Sequence, residues 1–155
     1  MRPLLQQAEA DGKWIIVLSH HAAGSLGGPT NEGESISPQE WRDFLGSFPR
    51  VVLHLGAHSH RFGYRVAQPT TGHAYFEAET ASLLDWPDQT RLFEVWDQDN
   101  GFLSIRGAPV DYAIEGDPTL AEARRRAAAD YAAGWVTAGP GDPEARAIEL
   151  YFPKP

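Results

Sequence analysis

No cysteine occurs among the 155 residues. That excludes disulfides and every zinc site built on thiolates, so a metal in this protein would be held by His, Asp, Glu or Asn. No apolar run approaches the ~18 residues that a membrane-spanning helix needs. The opening Met1–Gln7 has too short an apolar stretch to read as a signal peptide, and the compartment is left open. Basic surface is also scarce. With 13 Lys and Arg against 21 Asp and Glu, the net charge is −8, and no basic stripe suggests a phosphate-backbone binder, so no nucleic-acid partner is expected. The one basic cluster, Arg124-Arg125-Arg126, lies in an Ala-rich stretch and reads as the solvated face of a helix.

What is present is enough for a packed interior. Apolar residues make up 42% of the chain, with five Trp, seven Phe and five Tyr. The length suits one modest domain. Leu4–Ala10 reads as a short helix closed by Asp11-Gly12. Trp14–Leu18 is a continuous apolar run of the kind expected for a strand buried on both faces. A glycine-rich stretch, His21–Glu34, reads as a long functional or mobile loop.

Ser37-Pro38-Gln39-Glu40 has the form of a capping box with proline at the first helical position. Trp41, Phe44 and Leu45 follow at i, i+3, i+4 spacing on one face. Pro49 closes that helix, and Val51–Leu55 is a second apolar run. Strand, helix and strand make a βαβ unit with parallel strands, whose ligand sites gather beyond the carboxyl ends. Here those ends carry Ser19-His20-His21 and Gly56-Ala57-His58-Ser59-His60. Four of the six histidines thus fall where a site is expected.

Beyond Arg61 the chain becomes β-prone. Short segments near Phe62–Val66, His73–Glu79, Arg91–Trp96 and Phe102–Arg106 are expected to pair mostly antiparallel, with Gln98–Gly101 as a hairpin turn. Asp117-Pro118 opens a helix running to about Ala133, with Leu120, Ala127 and Tyr131 on one side. Ala147–Phe152 reads as a last strand. The expected class is mixed α/β: residues 1–112 form the main body, and 113–155 a helix-and-strand extension packed on it.

His58-x-His60 is the sharpest local feature. In extended backbone, i and i+2 side chains project to one side about 6–7 Å apart, so two imidazoles can reach one ion or each of two neighbouring ions. His20 can supply a third nitrogen. Imidazole suits Mn, Fe, Ni and Zn alike. An H-x-H pair also occurs by chance and in cupin-like barrels, which bind a single metal. His54 reads as a core or hydrogen-bonding residue and His73 as structural or exposed. His21 stays open between substrate contact, support of a ligand and packing.

Ile15-Ile16-Val17-Leu18-Ser19-His20-His21, followed downstream by Leu55-Gly56-Ala57-His58-Ser59-His60-Arg61, resembles the last two motifs of the calcineurin-like metallophosphoesterases. The resemblance covers about Leu4 to Tyr112, and Thr80–Arg91 looks like the strand-turn-strand that follows the last motif in some bacterial members. It implies the C-terminal half of a sandwich of two mixed sheets and a phosphate-ester hydrolase using two divalent ions. His20 and His58 would bind one ion, His60 the other, and Arg61 and His21 would contact the phosphate. Ala22 stands where the family often has proline, and Ala57 where it has glycine.

The family's Asp-x-His, Gly-Asp-x-x-Asp and Gly-Asn-His-Asp/Glu motifs do not occur. The expected partners are therefore a small phosphate ester and an N-terminal half or second chain that brings the carboxylates. Three readings follow: a hydrolase half with little activity alone, a non-catalytic half-domain that pairs with a partner, and a single-metal cupin-like protein. The last predicts an all-β chain.

Overall fold

Hydrogen-bond satisfaction fixes the start of one short helix. Ser37 Oγ accepts from Glu40 N at 3.2 Å, while Glu40 Oε2 accepts from Ser37 N at 2.8 Å, so two of the helix's orphan donors are met reciprocally. The helix so started is Pro38–Gly46, and Leu45 on its inner face is fully buried. In the computed structural model, which describes residues 1–27, 36–112, 114–136 and 139–154, the order of elements is α1 (Arg2–Ala10), β1 (Ile15–His21), α2 (Pro38–Gly46), β2 (Val51–Ala57), β3 (Gly63–Ala67), β4 (Tyr75–Glu79), β5 (Gln89–Asp97), β6 (Phe102–Asp111), α3 (Pro118–Ala132) and β7 (Ile148–Pro153). Of the glycine-rich stretch expected as a loop, residues 28–34 lie outside the described residues.

Two compact units result, Met1–His58 with Tyr64–Ala78 and Ser59–Gly63 with Glu79–Lys154. The first carries a sheet of order β1-β2-β4-β3. β1 and β2 are parallel, pairing from Ile15↔Val51 to His21↔Ala57, so the expected βαβ unit is present. Its core joins Leu5, Ile15, Val17, Leu45, Phe48, Val51, Val52 and Leu53. α1 is held to this unit by Arg2, whose guanidinium lies over the rings of Phe44 and Phe48.

β2 is buried on both faces along Val51–His54, as its apolar run predicts. β1 is not. Its residues alternate, and Ile16 is 37% and Leu18 71% exposed. The run Trp14–Leu18 is apolar throughout, but among the described residues only one face of β1 is covered, so an apolar run by itself overstates burial.

The second unit is an antiparallel sheet of order β5-β6-β7. The turn expected at Gln98–Gly101 closes the β5–β6 hairpin, with Gln98 N donating to Phe102 O at 3.0 Å and Asp97 opposite Leu103. Asp117 caps α3 by accepting from the Thr119 and Leu120 amides. Of the three residues expected on its inner side only Ala127 is buried, and Tyr131 is 42% exposed. Arg125 and Arg126 pair with Glu122 on the solvated face, as expected. Arg124 departs from that reading: it turns inward to Pro87 O and Asp111, with its guanidinium over Trp86 and Tyr112. Aromatic and carbonyl partners outweigh hydration there because guanidinium is weakly hydrated.

Three α-helices and two separate sheets make a mixed α/β fold with no barrel among the described residues. The cupin-like reading, which predicts an all-β barrel, is set aside on that ground. No helix among the described residues is long and apolar enough to cross a membrane.

Candidate metal centre

Parallel pairing alone does not bring β1 and β2 close at their carboxyl ends; a missing side chain does. A Cβ on Gly56 would stand 2.7 Å from both Cα and Cβ of Ala22 and 2.8 Å from its nitrogen. Only glycine lets the chain leaving β1 press against the end of β2. Ala22 itself has φ −66°, an angle that a proline also adopts.

This approach gathers three imidazoles. His20, His21 and His58 each offer a ring nitrogen, and these atoms lie within 4.8 Å of one another. His20 Nε2 and His58 Nδ1 are 3.1 Å apart. The His21 and His58 ring centres are separated by 4.0 Å. His20 and His58 are exposed and His21 half-buried, which leaves the group open to solvent.

The placement of His58 differs from the sequence expectation in a definite way. β2 ends at Ala57, and His58 and His60 have φ values of 67° and 56°. Both are left-handed, so the i and i+2 geometry of a strand does not apply to the pair. Histidine is among the side chains that tolerate this region, and such conformations cluster at sites where backbone strain has a use.

Hydrogen-bond accounting assigns a tautomer to one member. Ser25 Oγ donates to Ala22 O at 2.9 Å, so its oxygen receives the Nδ1–H of His21, 3.3 Å away. The Nε2 lone pair of His21 is then left for a ligand. A similar chain steadies the end of β1. Ser19 Oγ donates to His21 O at 2.6 Å and accepts from His54 Nε2 at 2.7 Å. His54 is buried, as expected of a core hydrogen-bonding residue, and acts through Ser19 on the backbone that carries the cluster. Its Nδ1 faces Glu77 Oε1 at 3.9 Å, an electrostatic separation rather than a hydrogen bond.

Glu77 is the charged centre of the first unit. Arg42 donates to both its oxygens at 3.2 and 3.3 Å, and Arg65 stands 3.5 Å away. Burial pushes the Glu77 carboxyl up, but His54 and Arg42 outweigh that and hold it below the ordinary carboxylate range. His73, expected to be structural or exposed, links Gly46 O and Val51 O through its two ring nitrogens.

His60 and Arg61 belong to the second unit. His60 Nδ1 donates to Asp85 Oδ2 at 2.5 Å, and beside it Ser59 Oγ donates to Glu79 Oε2 at 2.5 Å. Arg61 is exposed and lines a shallow cleft with Tyr131 and Asp142. Asp85 and Ser25 were not legible as supporting residues: Asp85 meets His60 across 25 residues, and Ser25, four residues from His21, lies in a glycine-rich stretch with no pattern to mark it.

The donor set fits one divalent ion. Two imidazole nitrogens bound at about 2.0–2.1 Å on a tetrahedral ion stand about 3.3 Å apart, and the His20–His58 pair is already at 3.1 Å. The three rings bring no negative charge and no bridging oxygen. Among the described residues no carboxylate joins them within that radius. Compared with known proteins, the chain matches no family model and no curated protein.

Proposed function

We propose that this chain carries the histidine half of a two-metal phosphate-ester hydrolase of the calcineurin-like kind. The observation that carries the reading is the meeting of His20, His21 and His58 at the ends of two parallel strands, within 4.8 Å of one another. His20 and His58 would hold one ion, joined by His21 through its free Nε2. Within the second unit, His60 has Nδ1 committed to Asp85, which leaves Nε2 as its ligand nitrogen. Divalent ions in such a pair polarise the phosphoryl oxygens and make water nucleophilic at neutral pH. The chain's own residues have the part of binding and orienting: Ser25 sets the His21 ring, and Asp85 sets the His60 ring.

Carboxylates that offset and bridge two dications would come from a partner chain or further segment. By itself this chain is expected to hold one ion per molecule, weakly, with little turnover. Calorimetric titration with Mn²⁺ and Zn²⁺, beside turnover of a chromogenic phosphodiester, tests this. Failure to bind either ion refutes the metal site; two tightly bound ions with turnover refute the need for a partner.

A second reading, a non-catalytic half-domain that pairs with another chain, is favoured by the apolar face of β1 at Ile16 and Leu18, which is exposed among the described residues. Partner binding unchanged in His58→Ala would support it over the hydrolase.

A further inference from the structure

The imidazole cluster has an apolar neighbour in the same unit. A cavity of about 240 Å³ is walled by Ser19, His20, His21, Leu26, Ile36 and Trp41. Apart from the two histidines its chemistry is almost wholly hydrocarbon. Ser19 has already given its proton to the His21 carbonyl and taken one from His54, so it presents no free donor. Trp41 contributes its ring, and its indole Nε1–H is buried with no hydrogen-bond partner among the described residues. Its ring is fixed by stacking on Phe44 and an edge contact with His54. An apolar cavity of about 150 Å³ is known to accept benzene, so the volume here suffices for a single aromatic ring.

Resting on the reading of the cluster as a metal site for phosphate esters, we propose that this cavity selects the substrate: it takes the ring of an aryl phosphate whose phosphoryl end lies at His20 and His21. Leu26, Ile36 and the face of Trp41 remove the ring from water. A short alkyl phosphate leaves the cavity unfilled and gains nothing from it.

The test has two arms on the full chain. In the metal-free protein, toluene is titrated while the indole proton resonance of Trp41, assigned by its loss in Trp41→Phe, is followed. A saturable shift is expected, and none overturns the cavity as a binding site. With Zn²⁺ bound, phenyl phosphate is expected to bind at least tenfold more tightly than methyl phosphate. Ile36→Ser, a small uncharged replacement at an exposed wall position, should weaken that preference and leave Zn²⁺ affinity unchanged. Equal affinity of the two esters for the wild type overturns the aryl assignment while the metal site stands. A chain that shifts with toluene but takes up no Zn²⁺ overturns both the metal reading and the aryl phosphate as occupant.

Discussion

The Nδ1 of His60 stands 2.5 Å from Asp85 Oδ2, across a sequence separation of 25 residues. A carboxylate can only accept there, so Nδ1 carries the proton and Nε2 is left as the basic nitrogen. Aspartate behind a histidine in this manner fixes ring orientation and raises ligand basicity. Asp85→Asn should redistribute the ring protons, read directly from the His60 ¹⁵N shifts, and weaken ion binding at His60 by about 10–100-fold once the carboxylate partner is supplied. Asp85→Glu should restore much of the tautomer preference. An unchanged ¹⁵N pattern in Asp85→Asn would show that the aspartate does not control the ring.

Gly56 makes the opposite kind of contribution, through the atom it lacks. Its Cβ position is 2.7 Å from Ala22 Cα, and backbone atoms cannot move aside as the tip of a side chain can. Gly56→Ala is expected to cost about 1–3 kcal/mol and to spread the strand ends that carry His21 and His58. Thermal unfolding measures the first effect and Zn²⁺ titration the second. Full Zn²⁺ affinity in the variant would mean that the close approach does not shape the cluster.

Much of this arrangement was visible in the residues themselves. Two apolar runs around a capping box announced the βαβ unit, Asp99-Asn100-Gly101 announced the hairpin, and Asp117-Pro118 announced α3, because each signal is local. Strand ends rich in histidine located the cluster, with His21 a full member rather than an onlooker. What escaped depends on distant partners. The left-handed φ of His58 has no local signal in the residues, and Asp85 meets His60 only after the chain has returned. Arg124 reads as one of three equal arginines until the Trp86 and Tyr112 rings are placed beside it. The uncovered face of β1 is likewise a property of what packs nearby.

Glu77 should make the first unit acid-sensitive. It is 3% exposed and its carboxyl is held below its ordinary value of 4.5. A depressed pKa means that the ionised form is favoured by folding, so its stabilisation is complete above that value and drains away as pH falls through the lower folded value. Glu77→Gln leaves Arg42 without its carboxylate and is expected to cost about 3 kcal/mol at neutral pH. Urea unfolding at pH 7 and below 4.5 should show the wild type losing its advantage over the variant as acid is added. A gap independent of pH would place the effect in packing instead.

Asp88 should behave with the reverse sign. It is 2% exposed, has φ 56°, and leaves Oδ2 without a hydrogen-bond partner. Burial pushes its carboxyl above the ordinary 3.8, with Asp85 adding to the rise, while Arg124 and Tyr112 pull the other way without cancelling it. A raised pKa means that folding favours the protonated form. The penalty on the charged form is therefore complete above the raised value and vanishes as pH falls below 3.8. Asp88→Asn keeps the shape, removes the charge and suits the left-handed backbone, since asparagine tolerates that region well. It should raise Tm by about 2–5 °C at pH 7, with the gain shrinking as the solution is acidified. A variant that melts lower than the wild type at pH 7 would show that the attraction between Asp88 and Arg124 outweighs the cost of burying the carboxylate.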